Sequence, residues 1–169
     1  MTLDQVPAGA HVFVVFVDSN ILVSHFQPHP GFGPTCQRLL ERVERQDIQG
    51  YTSTNILGEL AHRLMVLEAG ALPGWSGGKV LNRLKQQPGV VKQLTAFQTA
   101  VASVLQSKIQ VLTIPPVLVA TAATLSRQHG LLTTDAVILA LMQAHRLTDL
   151  ANHDAHFDAV RGLMRYAPA

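Results

Sequence analysis

The chain has 169 residues, a length that fits one domain, and its single Cys36 excludes an internal disulfide and fits a reducing compartment. Charged residues make up 14% and apolar residues 47%, so much of the surface must be weakly polar, as if part of it were covered by a partner or a second copy. A net charge of +2 and a pI near 9.0 permit contact with nucleic acid, but the absence of any Lys/Arg block excludes tight non-specific binding to duplexes through many phosphates.

No apolar run approaches the roughly 18 residues that a membrane-crossing helix needs. The apolar stretch at 12–17 is too short for a secretory signal and has no basic leader, so a cytoplasmic protein is expected.

Residues 12–17 (VFVVFV) are continuously apolar and rich in β-branched and aromatic side chains, which predicts a strand buried on both faces. Asp18, Ser19 and Asn20 follow directly and lead into a helical start at Ile21. Residues 25–34 hold three prolines and two glycines and are expected to form a loop, followed by a helix over 35–46. A short strand is predicted over 47–52, then a helix capped by Ser53 or Thr54 and running to Ala69 before Gly70. The turn-rich segment 72–78 precedes one or two helices between 79 and 108, broken at Pro88-Gly89.

Residues 109–114 read as a strand stopped by Pro115-Pro116, and 117–129 as an Ala-rich helix ended by Gly130. Thr133 or Thr134 is expected to cap a strongly apolar helix over 135–146. A last strand over 148–151 delivers the segment 152–158, and 163–166 forms an edge strand. Strands alternating with helices predict an α/β fold of three layers around a mainly parallel sheet.

Of only eleven Asp and Glu residues, four stand beside apolar runs at predicted strand ends or helix starts: Asp18, Glu59, Asp135 and Asp154. Each has a plain structural reading. Asp18 suits a helix N-cap, Glu59 an i,i+4 ion pair with Arg63, Asp135 the positive end of a helix dipole, and Asp154 an Asx turn. Together they describe a cleft in which carboxylates repel one another unless a divalent cation holds them, the arrangement of a metal-dependent phosphodiesterase. Asp158 is a possible substitute for Asp154, but Phe157 is expected to anchor that turn and swing Asp158 away.

Other chemistries fit less well. The histidine pairs His25/His29 and His153/His156 lack a cysteine cluster or a helix to make them zinc sites. A dehalogenase-type phosphatase needs a second Asp where Asn20 stands, and no phosphate-binding glycine loop is present.

The stretches Val15-Phe16-Val17-Asp18-Ser19-Asn20, the helix around Glu59, Thr134-Asp135-Ala136-Val137-Ile138 and Leu150-Ala151-Asn152-His153-Asp154 resemble, in order and spacing, those of the PIN-domain ribonucleases, and more closely the VapC-type toxins of toxin–antitoxin pairs. The resemblance spans about 12–166 of a single domain and leaves 72–108 unmatched. It implies a three-layer α/β/α PIN-like fold, and Asp18, Glu59, Asp135 and Asp154 as an acidic quartet holding Mg²⁺ or Mn²⁺. Ser19, Asn20 and Asn152 take supporting roles, with Asn152 replacing the family's usual Thr or Ser. RNA is the implied substrate, an antitoxin protein and a second copy of the chain the implied partners. The alternative is a PIN-like RNA-binding or assembly module without catalysis.

Basic residues that could border an RNA cleft are Arg38, Arg42, Arg63 and Lys79, although Arg42 and Arg45 also have Glu41 and Glu44 nearby as ion-pair partners. Trp75 and its neighbouring glycines are candidates for a partner-binding or gating surface.

Overall fold

The computed structural model describes residues 1–7, 13–27, 29–75 and 79–169. Val12 of the predicted first strand, Pro28 of the loop and residues 76–78 of the turn-rich segment lie outside them. Among the described residues, five strands form one sheet in the order β3-β2-β1-β4-β5: β1 (Phe13–Val17), β2 (Ile48–Ser53), β3 (Gln110–Leu112), β4 (Asp149–Ala151) and β5 (Met164–Tyr166). Every neighbouring pair is parallel, so the sheet is wholly rather than mainly parallel.

The reason lies in the connections. Helices α1 (Ser19–Phe26) and α2 (Gly33–Glu44) carry the chain from β1 to β2, and α3 (Thr54–Gly70), α4 (Val80–Gln86), α5 (Pro88–Val91) and α6 (Ala96–Gln106) carry it on to β3. Helices α7 (Pro116–His129) and α8 (Thr133–Ala144) then return it across the sheet to β4 on the far side of β1. Right-handed crossovers running in opposite directions place their helices on opposite faces, giving three layers. The strand order therefore reverses between β1 and β4, the position at which α/β sheets open a crevice at their carboxyl ends.

The middle of the sheet is dry. Val15, Phe16 and Val17 of β1 and Leu150 and Ala151 of β4 are fully buried, as a strand covered on both faces requires. Gly50 in β2 permits a close approach: a Cβ there would sit 2.9 Å from Val43 Cγ1 and 3.0 Å from its Cγ2, so α2 packs against the bare backbone.

Several predicted boundaries shift for identifiable reasons. Pro34 stands in the first turn of α2, so that helix begins at Gly33 instead of 35, and it stops at Glu44, before Gln46 at φ 61. Pro88 opens the separate helix α5 rather than merely interrupting one, so 79–108 holds three helices. Thr133 and Thr134 lie inside α8 behind an extended Leu132, and neither caps it. Ser53 does cap α3, its hydroxyl accepting the Ile56 N–H. Trp75 is buried with Ala69, Leu84 and Leu94 in a second small cluster, under the Arg83 guanidinium 4.5 Å above its ring, so it is not an exposed partner surface.

Substituting Gly50→Ala is expected to cost about 1–3 kcal/mol in denaturant unfolding, because the stiff Val43 must give way. In a Val43→Ala background the same change is expected to cost clearly less. Strict additivity of the two substitutions would show that Val43 does not set the fit.

Candidate active site

Asp18 follows β1 directly and occupies the N-cap position of α1, but its side chain makes no capping hydrogen bond. It is buried. Its Oδ2 accepts a 2.8 Å hydrogen bond from Asn20 Nδ2, while Oδ1 has no partner among the described residues. Burial, opposed by the backbone N–H of Ser19 and reinforced by the charges of Glu59 and Asp135, pushes the Asp18 carboxyl up to about 7.

Asn20 ties two loops together. Its Nδ2 also donates to Asn152 Oδ1 at 2.8 Å, and its Oδ1 accepts the His153 N–H at 3.1 Å. Asn152 is itself buried at the end of β4, where its Oδ1 also accepts the Asp154 N–H and its carbonyl accepts from Arg165 at 3.2 Å. The two asparagines thus fix the start of α1 against the loop after β4. Asn20 uses both ends of its amide here, whereas Asn152 contributes its Oδ1 as a double acceptor.

Asp154 caps a short 3-10 turn (Ala155–Ala159), with Oδ1 accepting the His156 N–H at 2.9 Å. Asp135 stands half-buried in the first turn of α8. Its carboxyl is raised above the usual range by burial and by Asp154, against the opposing effect of His156. Ligand atoms of Asp135, Asp154 and His156 all lie within 4.8 Å of one another.

Glu59 enters from α3. Its Oε1 accepts the Ser19 hydroxyl at 2.9 Å and faces Arg63 Nη1 at 3.7 Å, so the ion pair expected from the i,i+4 spacing is present at the site itself. Arg63 Nη1 also lies 3.4 Å from Ser19 Oγ. The four acids share one field: the charges of Glu59 and Asp135 act on Asp18, and those of Asp154 and Glu59 act on Asp135.

Other candidates lie elsewhere. Asp158 is held by Arg165 at 2.7 and 2.8 Å while Phe157 is fully buried, which swings Asp158 away as expected. Arg38 is spent on Asp4, Arg42 donates to the Pro7 carbonyl and Arg45 to Asp47, so none of the three pairs with Glu41 or Glu44. Among the described residues, Arg63 is the one of these candidate cations that contacts an acid of the quartet. The histidine pairs separate: His153 packs on Phe32 at 4.7 Å, His29 stacks on the same ring, and His25 packs on Phe26. His156 turns towards Asp154 instead, with Nδ1 3.2 Å from Oδ1, a role that its pairing with His153 in the sequence concealed.

The residues fit a divalent cation on two grounds. A buried carboxylate oxygen without a donor is costly unless a cation completes it, and Asp18 Oδ1 is such an atom. The oxygen-rich donor set, moreover, suits a hard ion.

Asp18 also makes stability depend on pH in the metal-free protein. The native carboxyl keeps its proton up to about pH 7, whereas the unfolded one loses it near 3.8, so wild-type stability falls as pH rises through that window. Asp18→Asn removes this penalty. In chelator the variant is expected to gain about 2–4 kcal/mol over wild type above pH 7, the gain shrinking towards pH 5. A difference that is constant with pH in chemical denaturation would contradict it.

A family model, the PIN domain, matches residues 15–163. No curated protein matches the sequence. Among solved structures, the chain is similar to Mycobacterium tuberculosis VapC20, a sarcin–ricin-loop-cleaving toxin, at 18% identity and a TM-score of 0.61, covering 87% of this chain and 95% of that one. It is also similar to VapBC2 from Rickettsia felis bound to a promoter DNA fragment, at 15% identity and a TM-score of 0.59, covering 93% and 100%. A toxin–antitoxin complex from Klebsiella pneumoniae matches at 18% identity and a TM-score of 0.51, covering 89% and 95%. At these identities the structures share the fold. The family match over nearly the whole sequence, on a parallel sheet whose crevice gathers Asp18, Glu59, Asp135 and Asp154, places the chain in the PIN-domain family.

Proposed function

We propose that the protein is a metal-dependent endoribonuclease that hydrolyses RNA phosphodiester bonds and acts as the toxin of a toxin–antitoxin pair. The observation that carries the reading is the buried Oδ1 of Asp18, without a partner among the described residues, in the field of Glu59 and Asp135, with Asp154 acting in turn on Asp135. A surface that only bound RNA would have no use for an acid kept in that state. The VapC20 toxin and the two toxin–antitoxin complexes that share the fold support the toxin reading.

Asp18, Asp135 and Asp154 are the residues assigned to hold Mg²⁺ or Mn²⁺. When bound, such a cation neutralises the scissile phosphate and lowers the pKa of a water molecule. Glu59 is assigned to orient the attacking water, since its carboxylate is already half-committed to Ser19 and Arg63. Asn20 and Asn152 act as positioning residues: they hold Asp18 and the Asp154 loop in one arrangement before RNA arrives. Arg63 is the cation available to meet a phosphate beside the acids.

An antitoxin and a second copy of the chain are the proposed partners. Their support is exposed apolar side chains on and after α7: Val117 at 66%, Val119 at 50% and Leu132 at 68%. Among the described residues no helix is long and apolar enough to cross a membrane, and a cytoplasmic location is part of the proposal.

The test is cleavage of a panel of structured RNAs with Mn²⁺ or Mg²⁺. Wild-type protein is expected to cut, chelator to stop it, and Asp18→Asn and Asp135→Asn each to lower the rate about a hundredfold or more. Cutting that survives both substitutions would place the chemistry elsewhere. RNA retained with metal but uncut would favour the binding module.

A further inference from the structure

Resting on that cation-site reading, we infer that His156 is a nitrogen ligand of the site, and that its imidazole makes the site favour a first-row transition ion such as Mn²⁺ over Mg²⁺. His156 sits on the 3-10 turn that Asp154 caps, two residues beyond it. That turn returns the His156 ring over the Asp154 carboxylate, Nδ1 being 3.2 Å from Oδ1, and brings its ligand atom into the same 4.8 Å cluster as Asp135. The turn is anchored by the buried Phe157 and by the hydrogen bond that the His156 N–H donates to Asp154 Oδ1, so the backbone of the turn sets the ring beside the acids.

Beside the cluster stands an independent mark of a missing ligand: Asp18, over nine-tenths buried and in the field of Asp135, has an Oδ1 without a partner among the described residues. Mg²⁺ demands oxygen donors and sheds water reluctantly, whereas Mn²⁺ accepts carboxylate and, like its heavier neighbours, tolerates imidazole. A mixed set of carboxylates and one imidazole therefore separates the two ions, which an all-carboxylate set does poorly.

The competing role for His156 is that of a protonated partner neutralising Asp154. The two roles differ in sign. Loss of a ligand weakens Mn²⁺ binding selectively, whereas loss of a cation from an acidic cluster leaves both ions bound equally well or more tightly.

The experiment uses the full chain, stripped with chelator and titrated with Mn²⁺ alone, free Mn²⁺ being read by electron paramagnetic resonance and Mg²⁺ affinity by competition. His156→Ala is expected to weaken Mn²⁺ about tenfold or more while changing Mg²⁺ by less than about twofold. Pulsed spectra of the wild-type Mn²⁺ complex are expected to show a ¹⁴N coupling that His156→Ala and His156→Gln both lose. The side chain is largely exposed, so both variants are expected to melt with wild type.

Unchanged or tighter Mn²⁺ binding in His156→Ala, equal weakening of both ions, or a wild-type spectrum without ¹⁴N coupling would each overturn the inference while leaving the cation site standing. Failure of wild type to bind Mn²⁺, or Asp135→Asn binding it as tightly as wild type, would instead remove the site and the inference with it.

Discussion

The hydrogen bond from the Asp18 N–H to the Ala151 carbonyl, 3.1 Å long, closes the pairing of β1 with β4 at its carboxyl end. Two strands separated by most of the sequence are neighbours there because the sheet reverses direction between them. Asp18 and the loop carrying Asp154 consequently leave the sheet side by side, and Asn20 with Asn152 pins them across the gap. Without that pairing Asp18 would be an ordinary residue at the start of a helix. With it, a carboxylate is forced into the interior facing other acids.

Keeping acids so close is unfavourable, and the structure relieves it unevenly. Glu59 is compensated by Arg63 and by the Ser19 hydroxyl, and Asp154 by the N–H of its own turn. Asp18 and Asp135 are left with raised carboxyls, chiefly through burial. The uncompensated pair comes from opposite faces of the sheet, one at the start of α1 and the other in the first turn of α8. Away from the site, Asp4 is held by Arg38 and Asp158 by Arg165, and both carboxyls are lowered instead. Among the described residues the raised carboxyls lie at the crevice, where perturbed acids mark function more often than structure.

The sheet and the acids were legible because they rest on local signals. An unbroken β-branched run ending in Asp18, an N-capping Ser53 and the helix-ending Gly130 each announce themselves within a few residues. The α8 cap was misplaced because Leu132 turns the chain with its backbone alone, leaving Thr133 and Thr134 inside the helix. Trp75 looked like a surface residue because its cover, Leu84 of α4 and Leu94 of the α5–α6 loop, comes from segments whose packing no local pattern reveals. The partners of Arg42 and Arg45 were misassigned because Glu41 and Glu44 lie close in sequence, while the fold brings the Pro7 carbonyl to Arg42 and the turn after α2 brings Asp47 to Arg45. His156 was hidden by its spacing from His153, since only the 3-10 turn sends the two rings in different directions.

The central claim is that the acids converge on one cation. Crystals grown with Mn²⁺ and measured at a wavelength where manganese scatters anomalously test it most directly. The account predicts an anomalous peak within coordination distance of the Asp18 Oδ1 that now lacks a partner, shared with Asp135 and Asp154. No peak at saturating Mn²⁺, or one that leaves Asp18 untouched, would contradict it.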